Sequence, residues 1–208
     1  MNETEKAAEE LYWDELGKIS KAPEEKQMPW VRFFKPEKDK TILELGCHKG
    51  ANLLEWGRNG HICHGEDPSA HCIERFIANC HRLWIPGEVD WPRNCTARVG
   101  FAEDYKLAEG AEPWDYVVMA SMLESVYSPV MALKAARAAL KPVTGRLYVV
   151  VLNQWFNGKG PSDTQKRCIN DGLLLKLFRE SGLRAGQMWR GGVHGHFQFA
   201  WAWNQEGA

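Results

Sequence analysis

A chain of 208 residues with nearly balanced charge excludes several classes of protein before any motif is considered. Lys and Arg number 26 against 27 Asp and Glu, so no global basic field is available to hold a nucleic-acid backbone. No apolar run reaches the roughly 18–20 residues of a spanning helix, and the N-terminus is too acidic for a signal peptide. We therefore predict a soluble, cytoplasmic protein with reduced cysteines, no membrane contact and nucleic acid as a disfavoured partner; its oligomeric state stays open.

The N-terminal part of the chain differs in pattern from the rest. Apolar residues recur at helical spacing over 3–20, and residues 21–29 carry two prolines and several charges, as a linker does. From Thr41 onward, segments typical of strands and helices alternate. We predict an N-terminal helical or lid segment over 1–40 and a main domain over 41–208.

The main domain predicts an α/β fold. Strands are expected at 41–46, 61–67, 96–100, 114–121 and 146–153, and helices at 50–59, 69–83, 128–140 and 164–181. The stretches 84–95 and 153–163 are expected to be loops, the second an active-site loop. Two last strands, near 184–190 and 197–203, would form a hairpin. The alternation predicts a doubly wound, Rossmann-like fold: a mostly parallel seven-stranded sheet with a C-terminal antiparallel hairpin strand and helices on both faces.

A turn with two glycines follows the first predicted strand and is the main candidate for a ligand site. It runs from Gly46 through Cys47 and His48 to Gly50, and glycine lets the backbone approach a ligand closely. The helix that follows presents unpaired N–H groups, which favour a carboxylate or a phosphate. Glu44 is suited to pair with the amine of an amino-acid ligand. A dinucleotide-binding turn has glycine at the position of His48, so an NAD or nucleotide-sugar enzyme is disfavoured, and a turn without ligand is the alternative.

An acidic residue closes the second predicted strand. Asp67 lies 21 positions after Gly46, close to the distance of about 20 at which a strand-end carboxylate binds ribose hydroxyls in nucleotide-binding folds. Glu66 is the alternative acid. Asp67 is equally suited to capping the following helix, because Asp, Pro and Ser all favour a helix start.

Five segments between residues 41 and 152 carry a resemblance to a known family. They are ILELGCHKG, GEDPS, VGFAEDY, WDYVVMASMLESV and LKPVTGRLYVVV. In this order and spacing they resemble the core of class I S-adenosylmethionine-dependent methyltransferases of the small-molecule type. The resemblance implies an enzyme that transfers a methyl group to a small-molecule acceptor by in-line displacement, with S-adenosylmethionine as cofactor. The alternative is a catalytically silent relative that binds the cofactor or serves as a scaffold.

The resemblance also implies which residues bind the cofactor. They are Glu44, Gly46, Cys47, His48 and Gly50 for its methionyl part, Asp67 and Pro68 for its ribose, Phe101, Ala102 and Glu103 for its adenine, and Ser121 and Met122 beside its sulfonium. Three positions depart from the family pattern. His48 replaces a common glycine, Phe101 replaces an aspartate found in many relatives, and Ser125 replaces a histidine that often follows the glutamate. The first two favour the silent alternative, and the third gives no support to a His-dependent mechanism there.

A catalytic base is needed only if the acceptor loses a proton as it attacks. The candidates are Glu124, after the fourth strand, and His194 and His196, in the glycine-rich turn of the last hairpin. Each has a structural alternative: Glu124 as a helix cap, and the two histidines as exposed turn residues. Cys and His also cluster between residues 61 and 81, but their order lacks the paired spacing of a zinc site, so no metal is predicted.

Overall fold

The computed structural model describes residues 2–19, 33–83, 93–152, 167, 169–191 and 197–204. The strands in this part of the chain are β1 (Thr41–Leu45), β2 (Ile62–Asp67), β3 (Cys95–Val99), β4 (Tyr116–Ala120), β5 (Arg146–Leu152), β6 (Leu183–Gly191) and β7 (Phe197–Asn204). The α-helices are α1 (Glu3–Ile19), α2 (Ala51–Arg58), α3 (Ala70–Leu83), α4 (Pro129–Ala139) and α5 (Asp171–Glu180). A short 3₁₀ helix spans Ala102–Asp104.

The seven strands form one sheet in the order β3-β2-β1-β4-β5-β7-β6. The pairs β1–β2, β2–β3 and β4–β5 are parallel, whereas β7 runs antiparallel to both β5 and β6. The predicted fold class, a mostly parallel seven-stranded sheet with a C-terminal antiparallel hairpin, is confirmed. No helix in the described ranges is long and apolar enough to cross a membrane.

The chain divides into two compact units, Met1–Phe101 and Ala102–Ala208. The first contains α1 to α3 and β1 to β3, with a core that includes Leu43, Leu53 and Phe76. The second contains β4 to β7 with α4 and α5, and its core includes Leu133, Val149 and Phe178. The predicted boundary at residue 40 separates an N-terminal segment from the main domain, and it does not coincide with the division between the two units. It stays a prediction, because residues 20–32 lie outside the described part of the chain.

Aromatic rings cover one region of the second unit, where β5, β6 and β7 lie side by side. Tyr148 on β5 is fully buried, and its ring centroid lies 4.8 Å from that of Trp201 on β7. Trp189 on β6 stacks on Phe199, with centroids 5.4 Å apart. Because these side chains come from neighbouring strands, they hold the antiparallel hairpin to the rest of the sheet.

Most predicted elements are present, and their ends follow from local capping. Gly60 and Gly182, two residues beyond the ends of α2 and α5, have φ of 90° and 71°, in the left-handed region that favours glycine. α4 begins after Ser128, whose hydroxyl accepts the N–H of Met131, and Pro129 occupies its first turn.

Several predicted boundaries differ from those of the structure, most of them by one residue. The helix expected from residue 164 begins at Asp171, because the Asn170 side chain accepts the N–H of Leu173 and caps it there. Cys95 begins β3 and does not belong to the preceding loop. β4 begins at Tyr116, two residues later than expected, since Trp114 makes only an isolated pairing with Leu140.

Candidate functional site

Backbone hydrogen bonds hold the glycine turn after β1 against the end of β2. The N–H groups of Gly46 and Cys47 both donate to the carbonyl of Glu66, at 2.7 and 3.0 Å. Gly46 and Gly50 have φ of 77° and 74°, and His48 has φ of 50°. Histidine enters this left-handed region more readily than most residues other than glycine. The departure at His48 therefore leaves the turn in a conformation that glycine also adopts.

Gly50 is required by its neighbours as well as by its own backbone. It precedes the first residue of α2, and a Cβ built on it would collide with the ring of Phe76 on α3. Phe76 is itself 2% exposed, so its ring has little room to move aside. The turn thus lies close against α3, and a larger residue at Gly50 would displace the start of α2.

Glu44, at the carboxyl end of β1, is a buried acid with an unsatisfied oxygen. Its side chain is 1% exposed, and Oε1 accepts a hydrogen bond from Nδ2 of Asn52 on α2 at 2.5 Å. Oε2 is buried and has no hydrogen-bond partner among the described residues. Burial raises the pKa of Glu44 to about 8. A buried acceptor without a partner costs free energy unless a ligand supplies a donor, and the amine expected there is such a donor.

Asp67 ends β2, and both of its carboxylate oxygens accept backbone hydrogen bonds. Oδ2 accepts the N–H of His48 at 2.8 Å, and Oδ1 accepts the N–H of Ser69 at 3.0 Å. The residue is 8% exposed, and burial raises the pKa of its carboxyl to about 6. Each carboxylate oxygen has a second lone-pair direction, so capacity remains for two hydroxyl groups.

The structural alternatives at the end of β2 are resolved by neighbouring side chains. Ser69 caps α3, because its hydroxyl accepts the N–H of Cys72 at 3.1 Å. Glu66, the alternative acid, forms an ion pair with Arg98 on β3 and is 3% exposed. Asp67 is therefore the acid that borders the glycine turn, as its bond to His48 shows.

The adenine-binding candidates follow β3. Phe101 and Ala102 are buried, at 9% and 5% exposed. One oxygen of Glu103, Oε1, accepts the N–H of Ser128 just before α4, at 3.1 Å. The predicted polar contact from Glu103 to a ligand therefore competes with a structural role at this loop.

The loop after β4 contains the candidates expected near the sulfonium. Ser121 has φ of 55°, donates its N–H to the carbonyl of Val150 at 2.8 Å, and has a buried Oγ without a partner in the described ranges. The carbonyl of Met122 accepts the N–H groups of Ser125 and Val126. The strained backbone at Ser121 is of the kind that occurs at ligand sites.

Glu124 is a second buried acid with an unsatisfied oxygen. It is 1% exposed; Oε1 accepts the N–H of Leu152 at the end of β5, and Oε2 has no partner in the described part of the chain. Burial raises its pKa to about 7. The expected alternative, a helix cap, is wrong, since Ser128 caps α4.

Arg167 holds the loop that contains Glu124. Its backbone N–H donates to the carbonyl of Glu124, and its guanidinium donates to the carbonyls of Leu123, Val126 and Tyr127, at 3.0, 2.5 and 3.2 Å. Sequence reasoning missed Arg167 and placed it within a helix. It also missed Asn52, for which a polar residue on an otherwise buried helix was the available signal.

Some predicted residues lie outside the described part of the chain. They are His194, His196, the loop 153–163 and most of the loop 84–95. Among the residues that are described, no group of three or more His, Cys, Asp or Glu side chains could hold a metal ion. The candidates that the structure brings together are thus Glu44, the glycine turn and Asp67.

Comparison with known proteins finds methyltransferases by family, by sequence and by structure. Residues 21–202 match a protein family described as "Methyltransferase domain". The mitochondrial ubiquinone biosynthesis O-methyltransferase of Rattus norvegicus is 30% identical over 156 residues, which cover 69% of this chain and 43% of that protein. The glycopeptide N-methyltransferase MtfA complexed with sinefungin aligns with a TM-score of 0.71 at 12% identity, over 89% of this chain and 90% of that one. A TehB-like SAM-dependent methyltransferase from Corynebacterium glutamicum aligns with a TM-score of 0.63 at 17% identity, over 98% of this chain and 100% of that one.

Proposed function

The chain belongs to the methyltransferase domain family, and from this premise we propose that it transfers a methyl group from S-adenosylmethionine to a small-molecule acceptor. The observation that carries the proposal is the pair of acids beside the glycine turn. Among the described residues, one buried oxygen of Glu44 has no partner, and Asp67 has remaining acceptor capacity on the neighbouring strand. The similar protein MtfA has been crystallised with S-adenosylmethionine and with S-adenosylhomocysteine, which supports this choice of cofactor.

The polar groups of the first unit fit an amino acid joined to a nucleoside. Oε2 of Glu44 would accept from the ammonium group, and the carboxylate of Asp67 would accept from the ribose hydroxyls. The N–H groups at the start of α2 favour the ligand carboxylate. The contacts proposed for Pro68, Phe101, Ala102, Glu103, Ser121 and Met122 rest on the resemblance of their segments to the family.

When bound, the cofactor supplies a methyl carbon attached to a sulfonium, which is the electrophile of the reaction. The residues of this chain orient the reactants and exclude water. Glu124 is the candidate that would receive the proton of a hydroxyl or amine acceptor. Its support is a buried Oε2 that has no partner among the residues that the structure describes, and a pKa of about 7, close to the value at which a general base is effective. His194 and His196 stay predictions.

Calorimetric titration with S-adenosylhomocysteine tests the cofactor assignment. We expect the wild-type protein to bind, and Glu44→Gln and Asp67→Asn to bind at least about tenfold more weakly, as the loss of a charged hydrogen bond predicts. Glu37→Gln is the control, because Glu37 is 76% exposed and pairs only with Lys40 among the ion pairs of the described residues. A wild-type protein that binds no S-adenosylhomocysteine would refute the proposed function.

A silent relative that binds the cofactor without turnover is the second candidate. It is favoured by Phe101, a buried apolar residue where many relatives have a polar adenine contact, and by the engagement of Glu103 with Ser128. Transfer of a labelled methyl group to a panel of phenols, amines and carboxylic acids separates the two. Binding of S-adenosylhomocysteine with no transfer to any member of a broad panel would favour the silent relative.

A further inference from the structure

Helix α1 packs directly on the start of α3, next to the proposed ribose carboxylate. The two helices pack tightly at Gly17, where a Cβ would lie 2.5 Å from Oγ of Ser69 and 2.7 Å from Sγ of Cys72. A glycine inside a helix weakens that helix, so its presence here is explained by the close approach that it permits. The contact therefore places α1 against Ser69, which lies two residues after Asp67 in the chain.

Asp14 extends this contact with hydrogen bonds. Its Oδ1 accepts the N–H of His71 at 2.6 Å and the hydroxyl of Ser69 at 3.3 Å. The Ser69 hydroxyl also accepts the N–H of Cys72, so both of its roles, as donor and as acceptor, are in use. The backbone N–H of Ser69 donates to Oδ1 of Asp67. Ser69 thus links α1 to the Asp67 carboxylate, through its hydroxyl on one side and its backbone N–H on the other.

The carboxylate of Asp67 is restrained from two directions. Ser69 holds Oδ1 and His48 holds Oδ2, and the torsion of a carboxylate group is otherwise broad. If Ser69 moves, only the bond from the glycine turn remains, and the two oxygens lose the orientation in which their free lone pairs face a pair of hydroxyls. The position of Ser69 is therefore part of the ribose site although Ser69 itself need not touch a ligand.

We propose that Asp14 is a positioning residue for the cofactor ribose: from α1 it fixes Ser69, and Ser69 orients the Asp67 carboxylate. The inference rests on the proposed function, which assigns Asp67 to the ribose hydroxyls. It adds the N-terminal helix to the cofactor site, through a residue 55 positions away from Ser69 in the chain. The hydrogen bond from His71 lowers the pKa of the Asp14 carboxyl.

The test compares two ligands on the same protein preparation by calorimetry. The ligands are S-adenosylhomocysteine and its 2′,3′-dideoxy analogue, which lacks both ribose hydroxyls. For Asp14→Ala we expect about tenfold weaker binding of S-adenosylhomocysteine, the effect of one misplaced charged hydrogen bond, and unchanged binding of the analogue. The matched control is Glu15→Ala: Glu15 is the neighbouring acid, is 63% exposed and shares Lys18 as ion partner. We expect it to bind both ligands as the wild type does.

A double-mutant cycle supplies a second readout. In the Asp67→Asn background we expect Asp14→Ala to have no further effect on S-adenosylhomocysteine, since the residue through which it acts has been altered. Asp14→Asn keeps an acceptor oxygen and should recover part of the affinity. The ratio between the two ligands stays informative if Asp14→Ala lowers stability, because both are measured on the same folded protein.

Three results would overturn the inference. Asp14→Ala could weaken both ligands equally, which would show a general structural role, or it could weaken neither. Its effect could also persist unchanged in the Asp67→Asn background. In each of these cases the wild-type protein still binds S-adenosylhomocysteine, so the proposed function survives. A wild-type protein that binds neither ligand would remove the proposed function and this inference with it.

Discussion

At Glu44, one unsatisfied oxygen and a raised pKa make cofactor binding dependent on pH. The pKa of about 8 means that the ligand-free side chain is largely protonated at neutral pH, whereas an ammonium group pairs with the ionised form. Binding must then release a proton. We expect the affinity for S-adenosylhomocysteine to rise from about pH 6 to about pH 8, by at most about tenfold per pH unit. Calorimetry in buffers of different ionisation enthalpy measures both the affinity and the proton.

The control for this pH dependence is Glu44→Gln, which has no proton to release. Its affinity should change little above about pH 7, where the other acid of the turn, Asp67, with a pKa of about 6, is mostly ionised. A wild-type affinity that stays flat or falls over the same range would show that Glu44 does not pair with the ligand amine.

Gly50 offers a test of the turn that needs no ligand. Alanine there meets two obstacles, the positive φ of 74° and the collision with Phe76. Gly110 has φ of 75° but no atom within 4 Å of a built Cβ, so it isolates the backbone effect. We expect Gly50→Ala to lower the free energy of unfolding by about 2–5 kcal/mol and Gly110→Ala by about 1 kcal/mol. Urea denaturation measures both, and equal losses would mean that the contact with Phe76 is unimportant.

At the scale of elements, α1 depends on its contact with α3 more than on its own helical preference. Gly17→Ala improves the intrinsic preference for helix but introduces a Cβ within 2.5 Å of Ser69. We expect faster amide hydrogen exchange throughout α1 in this variant, because the helix can no longer dock. Glu10→Ala, at an exposed position of the same helix, should leave exchange unchanged. Slower exchange in Gly17→Ala would show that α1 is limited by propensity alone.

The elements also show what sequence reasoning can and cannot reach. β1 was predictable because a buried parallel strand reads as a short apolar run that ends at a turn residue. The start of α5 was missed because the capping signal of Asn170 competes with a helical pattern that extends further toward the N-terminus. The side-chain cap of Asn170 sets the start of α5.

The candidate site also contains residues that the sequence predicts and residues that it does not. Asp67 and the glycine turn were predictable from spacing, and the structure joins them through the bond between Asp67 and His48. Asp14 was not predictable, since its partner His71 lies 57 positions away and meets it only when α1 docks. Contacts of this kind depend on tertiary packing, which no local pattern encodes.

For the whole molecule, three buried acids make the ligand-free protein less stable as the pH rises. Burial raises the pKa of Glu44, Asp67 and Glu124 to about 8, 6 and 7. Their ordinary values are lower, so the unfolded chain ionises first and unfolding releases protons. We expect the free energy of unfolding to fall between about pH 4.5 and about pH 8. Chemical denaturation across this range measures it.

Glu44→Gln should reduce the loss of stability with rising pH, since it removes the acid with the largest rise in pKa of the three. S-adenosylhomocysteine should oppose it, because a ligand that binds the ionised carboxylates stabilises the folded protein. Stability that increases over the same pH interval would mean that these acids are ionised in the folded state.

The left-handed backbone at His48 limits which residues this position can accept during evolution. A glycine at that position would adopt the same dihedral angles with less strain, and its N–H would still reach Asp67. Histidine and glycine can therefore replace one another at this position without a change in the backbone of the turn. Selection for histidine here must act on the imidazole itself, because the main chain has the same path with both residues and glycine has less strain.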